Sequence, residues 1–117
     1  MTAKRKEERA TLVELRSMCK NIADDITEGK QQDYIDQPRK EITAHEWMED
    51  VYNIRYIVDS EKKYLGAMLM VAGNGPTIWV NTWTKEVEGS WGMDRCAHHF
   101  QDNIGLDDYN KGMYNSI

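Results

Sequence analysis

The sequence lacks any apolar run of about 18 residues, so no transmembrane helix is expected. Its charged beginning, Lys4 to Arg9, is followed by no apolar segment, so no signal peptide is expected. Only two cysteines are present, Cys19 and Cys96, and they fall in different expected elements. That excludes a disulfide framework and leaves two free thiols in a reducing, cytoplasmic compartment. Basic charge is also short. The net charge is −5: residues 1–40 carry nine Lys/Arg against eight Asp/Glu, and residues 41–117 carry six against twelve. A body this acidic argues against a nucleic-acid backbone as the main partner, because phosphate neutralisation dominates that affinity. It suits a basic protein surface, where charge complementarity speeds and orients docking.

Catalytic signatures are missing too. Gly73-Asn-Gly75 lies between two expected strands and lacks the following helix and Lys-Ser/Thr of a phosphate loop. Cys96 and Cys19 have no recognisable Asn or Asp orienter for a nearby base such as His98. Asp24-Asp25 and Asp107-Asp108 are adjacent in sequence and read as solvated helix surface, not as an opposed acid/base pair. Cys96-Ala-His98-His99 is the one cluster with metal-ligand chemistry, with Asp94 or Asp102 as a fourth donor. Its spacing is too compressed for two separated knuckles, and neighbouring His98 and His99 would point to different sides. One buried cysteine with surface histidines is the simpler reading, so neither metal nor cofactor is expected. A small metal-dependent enzyme built on these residues stays as an alternative.

The chain of 117 residues is long enough for one domain with its own core. Leu12, Leu15, Cys19, Ile22 and Ile26 recur at spacings of three and four, which predicts one amphipathic helix over residues 3–28, stopped by Gly29. This stripe would lie against the chain's own sheet, or form the seam of a homodimer. Met1 to Glu8 have no apolar face and are expected to fray or project. Residues 30–41 are polar, contain Pro38 and read as a linker, pinned by Tyr34 and Ile35. Thr43 and Glu46 fit a capping box, with Ile42 and Trp47 as the accompanying staple, so a second helix should run over about 44–52.

Strands are expected at 54–59, 64–72, 77–82 and 86–92, joined by turns short enough to force antiparallel neighbours. Tyr64–Ala72 is apolar apart from Gly66 and reads as a central strand covered on both faces. Ile78 and Val80 face one way, and Thr77, Trp79 and Asn81 the other. On the next strand Val87, Gly89 and Trp91 oppose Glu86, Glu88 and Ser90. Trp79 and Trp91 are expected to share a face, as core or as an open aromatic patch. Trp83 sits in a turn and leans towards exposure. Ile104, Tyr109, Met113 and Ile117 give a weak helical spacing in the tail, from about Asp102 or Asp107 to Tyr114. An aromatic sheet could stack bases, but the aromatic-basic pattern of RNA-recognition motifs is absent, so direct nucleic-acid binding is disfavoured.

The tract Gly73-Asn-Gly-Pro-Thr-Ile-Trp-Val-Asn-Thr82, followed by Val87-Glu-Gly-Ser-Trp-Gly92, resembles a turn-strand-turn-strand pattern in small proteins of bacterial phages and mobile elements. The resemblance covers about 20 of the 117 residues and specifies a hairpin. It implies association with inhibitors of host defence, anti-CRISPR proteins among them, and carries over no functional residue. The expected molecule is α+β: a long N-terminal helix (1–29), a linker (30–41), and a body (42–117) of a short capped helix, a four-stranded antiparallel meander and a short C-terminal helix. The expected function is non-enzymatic binding to a protein partner such as a basic nuclease. Trp83 would anchor the contact, with Glu86, Glu88, Glu46, Glu49 and Asp50 facing the partner.

Overall fold

The computed structural model describes residues 2–117, with side chains from Ala10 onward. Helix α1 spans Thr2–Glu28. Leu15, Cys19, Ala23 and Ile26 are buried along one stripe, four or three residues apart, so they stack on one side of the helix. Gly29 ends it at φ +68°, a conformation that a side chain would strain. The expectation for Met1 to Glu8 lies outside the described side chains.

Residues 30–41 fold back on themselves. Strand β1 (Lys30–Gln31) pairs antiparallel with β2 (Lys40–Glu41). Tyr34 and Ile35 do not pin this tract: both are exposed, Ile35 by 99%. Arg39 holds it instead, with its guanidinium on the Glu28 and Asp25 carboxylates of α1 and on the Lys30 carbonyl.

Helix α2 (Ala44–Met48) begins with both halves of the capping box. Glu46 N–H donates to Thr43 Oγ1 at 3.2 Å, and Thr43 N–H donates to Glu46 Oε1 at 3.1 Å. The helix stops well short of residue 52. Glu49 and Val51 close tight turns onto Glu46 and Met48, and Tyr52 N–H is taken by the Met70 carbonyl, which draws the chain into the sheet.

The main sheet has five antiparallel strands in sequence order, not four: β3 (Asn53–Val58), β4 (Tyr64–Ala72), β5 (Thr77–Asn81), β6 (Glu86–Trp91) and β7 (Asp94–His99). The added strand is Asp-Arg-Cys-Ala-His-His, which shows no apolar alternation because it is an edge strand. A two-residue link, Gly92-Met93, returns it beside β6, with Gly92 at φ +59°. Helix α3 (Leu106–Asn115) closes the fold. Its buried residues are Leu106 and Asn110. The tail spacing read from the sequence holds in part: Ile104 and Tyr109 pack against the core, whereas Met113 and Ile117 are exposed.

All three helices lie over one face of the sheet. Helix α1 packs on β6 and β7, α3 on β4, and α2 against α3. The single core gathers Leu15, Ile26 and Trp47 from the helical layer with Leu69, Ile78, Val80 and Val87 from the sheet. Strand β4 is therefore covered on one face only, by its Ala67 and Leu69 side. Its uninterrupted apolar character arises because Met68 and Met70 stand half-buried on the opposite, helix-free face. Among the described residues, no helix is long and apolar enough to cross a membrane.

Candidate functional site

The loop Thr82–Lys85 joins β5 to β6, and the residues beneath it fix its shape. Asn81 Oδ1 accepts from Trp83 N–H at 2.9 Å and from Thr84 N–H at 3.0 Å, a side-chain template for the turn. Asn81 Nδ2 donates to Glu88 Oε2 at 3.1 Å, tying the template to β6. Thr82 is fully buried. Its hydroxyl accepts from Ala67 N–H and donates to Asp107 Oδ1, both at 2.8 Å. Lys85 adopts φ +59°, and its ammonium donates to the Thr82 carbonyl at 2.6 Å. Trp83 is thus fixed at its backbone while its side chain remains 56% exposed. Gly66 makes this possible. A Cβ there would stand 2.5 Å from Trp83 Cβ and 2.9 Å from its nitrogen.

Gly66 belongs to the helix-free face, and so do Met68 and Met70, two and four residues further along β4, with the residues paired to them. Met70 pairs with Trp79, Trp79 with Glu88, and Glu88 with Ala97. One row over, Arg55 pairs with Met68, Met68 with Asn81, Asn81 with Glu86, and Glu86 with His99. The Arg55 guanidinium lies 5.0 Å from the centroid of the Trp79 ring, a cation–π contact. The face is therefore an aromatic and thioether centre of Trp79, Met68 and Met70, with Trp83 at its border. Arg55, Glu86, Glu88 and His99 form a polar rim. A covered apolar centre with a polar rim is the anatomy of protein interfaces.

Trp91 is not part of it. The register places Ile78 opposite Gly89, so Trp91 falls on the helix-covered side and packs against the core. The expectation that Trp79 and Trp91 share a face is overturned by this pairing. The signal was present in the sequence. A loop of Thr82–Lys85 sets Asn81 opposite Glu86, and counting outward places Trp79 beside Glu88.

The six residues singled out for partner contact divide into two groups. Trp83, Glu86 and Glu88 share the open face. Glu46, Glu49 and Asp50 lie on and after α2, in the helical layer, where with Asp33 and Glu41 they line a separate cleft of about 360 Å³. Glu46 is committed to its cap, and the Thr43 backbone N–H, then the Thr43 hydroxyl, holds its carboxyl below the usual range. The stripe on α1 is occupied within the chain. Leu15, Cys19 and Ile26 are buried and Leu12 and Ile22 partly so. A second copy would have to displace β6 and β7 to reach it.

Cys96 and His98 share the helix-covered side of β7, in register with Gly89 and Val87, whereas His99 faces the open side. Asp102 is engaged elsewhere: its carboxylate accepts from Leu106 and Asp107 N–H at 2.8 Å each, at the start of α3. Among the described residues, no group of three His, Cys, Asp or Glu side chains is arranged to hold a metal ion. Tyr64, Thr82 and Asp107 form a partly buried polar cluster, with Tyr64 donating to Asp107 Oδ1 at 2.9 Å. Burial pushes the Tyr64 hydroxyl well up, and the Asp107 carboxylate adds to it. This cluster fastens α3 to β4 and the Trp83 turn. Comparison with family models, with curated proteins and with solved structures returns no match.

Proposed function

We propose that this chain is a non-enzymatic binding protein that recognises a protein partner through the open face of its sheet. The observation that carries this reading is the helix-free face itself. Five strands hold Trp79, Met68 and Met70 half-buried there, and a turn braced by Asn81 and Thr82 presents Trp83. Tryptophan anchors held rigidly before binding lose little conformational freedom on docking.

The partner we propose is a basic protein surface of the kind that nucleic acid occupies, as on a host defence nuclease. Occlusion of that surface would make the protein an inhibitor acting in the cytoplasm. Two features support this class. The net charge of −5 gives a field that attracts a basic partner and repels nucleic acid. The resemblance of the hairpin tract 73–92 to small phage and mobile-element proteins points the same way, since many small acidic proteins of such elements inhibit host defence, anti-CRISPR proteins among them. On the face itself Glu86 and Glu88 stand on β6, with Arg55 on β3 across the two intervening strands, so the face is not uniformly acidic. The apolar centre therefore supplies affinity, while the acidic body supplies steering.

Capture from the natural host with mass spectrometry, run at low and high ionic strength, tests the reading. The expected result is a basic nucleic-acid-binding protein retained at low salt and released at high salt. Retention that ignores salt, or charge reversal at Glu86 and Glu88 without effect, would remove the electrostatic part.

A further inference from the structure

The chain's only two cysteines meet. Cys19 Sγ on α1 lies 3.3 Å from Cys96 Sγ on β7, across 77 residues of sequence. Gly89 on β6 makes room for both. A Cβ there would stand 2.6 Å from Cys19 Sγ and 3.2 Å from Cys96 Sγ. Closing a disulfide bond needs the sulfurs to approach by only about 1.3 Å. The pair sits at one side of a cleft of about 570 Å³ between α1 and β7. Among the described residues, the cleft is lined by Arg16, Lys20, Arg95 and His98 and by no carboxylate. Lys20 also bonds Asp24 at 2.5 Å. In a chain of net charge −5, this is a locally cationic site with two thiols at its wall.

We propose that Cys19 and Cys96 form a reversible redox site, closed to an intramolecular disulfide by exchange with an anionic low-molecular-weight disulfide of the oxidised-glutathione class that enters this cleft. Cys96 is half-buried and is the attacking sulfur, whereas Cys19 is 1% exposed. Burial, then the neighbouring Cys96, pushes the Cys19 thiol up to about 12, so Cys19 stays protonated in the resting state. The Cys96 thiolate attacks one sulfur of the small disulfide, whose S–S bond breaks and releases one thiol. Cys19 then gives its proton to water and attacks Cys96 Sγ, and the mixed disulfide releases the second thiol. Two protein S–H groups become one S–S bond, and one small disulfide is reduced to two thiols. The product staples α1 to β7 on the helical layer and leaves the open face untouched.

The experiment equilibrates the whole chain with reduced and oxidised glutathione, alkylates the remaining thiols, and reads intact mass. The wild type should become one monomeric species lighter by two hydrogens and closed to alkylation. Cys19→Ser should accumulate a glutathione adduct on Cys96, and Cys96→Ser should stay unmodified. Arg16→Glu with Lys20→Glu should slow closure by oxidised glutathione roughly tenfold, and leave closure by the uncharged hydroxyethyl disulfide unchanged. Wild-type chain that keeps both thiols alkylatable, holds a stable glutathione adduct, or forms disulfide-linked dimers would overturn the proposal. Equal rates with charged and uncharged disulfides in the wild type and the charge-reversed variant would overturn the role of the cleft. The wild-type result stands even where a variant fails to fold.

Discussion

Thr82 links three elements through one hydroxyl, taking the Ala67 N–H of β4 and giving its own proton to Asp107 of α3. Replacing it with valine keeps the shape, leaves the buried Ala67 N–H without its acceptor, and removes one of two donors from Asp107 Oδ1, which keeps Tyr64. Thr82→Val should lose about 1–3 kcal/mol in urea denaturation, and α3 should show faster hydrogen exchange. Gly66 carries a different constraint. Its φ is unremarkable, but a methyl group there meets the backbone of Trp83 and not a yielding side-chain tip. Gly66→Ala should cost roughly 1–3 kcal/mol and shift the Trp83 fluorescence. Cys19 gives a pH dependence with a definite sign. Its folded value is raised from 9.0 to about 12, so its contribution is whole below pH 9 and is lost as pH rises towards 12. Under reducing conditions the melting temperature of the wild type should fall more steeply over that window than that of Cys19→Ser.

At the scale of elements, legibility followed how much local chemistry each element carries. Helix α1 was legible because its stripe and Gly29 both act locally. The start of α2 was legible because a capping box is a four-residue pattern, and Thr43→Ala should cost about 1 kcal/mol in thermal denaturation. The end of α2 was not, since a non-local bond from Tyr52 N–H to the Met70 carbonyl decides it. Strand β7 was missed for a similar reason. Its inward positions are Asp94, Cys96 and His98, which become core-facing only because Leu15 and Cys19 of α1 fill the space against Gly89. Strands β1 and β2 are two residues each and polar, held by Arg39, which adjoins β2 and reaches back 14 residues to Asp25 of α1. At the candidate site, Trp83, Glu86 and Glu88 were found from the hairpin. Met68, Met70 and Arg55 were not, because a nearly continuous apolar run hides which of its residues face outward.

At the scale of the molecule, placing every helix on one side of the sheet gives the two sides different work. The covered side holds the core and the thiol pair, and the open side holds Trp79 and the Trp83 turn. Closing the 77-residue loop as a disulfide should stabilise the chain by roughly 4 kcal/mol in the loop-entropy picture, less any strain, with little change on the open face. The central claim is that recognition belongs to that face. The most direct measurement is the affinity for the captured host partner of three proteins matched by circular dichroism. These are the wild type, Trp79→Ala with Trp83→Ala, and Glu49→Lys with Asp50→Lys on the helical layer. Loss of roughly thirtyfold or more in the tryptophan variant, consistent with a hot spot of about 2 kcal/mol, with a small, salt-sensitive change in the charge-reversed variant, is the predicted result. Unchanged affinity after removal of both tryptophans, or a larger loss from the helical-layer variant, would contradict it.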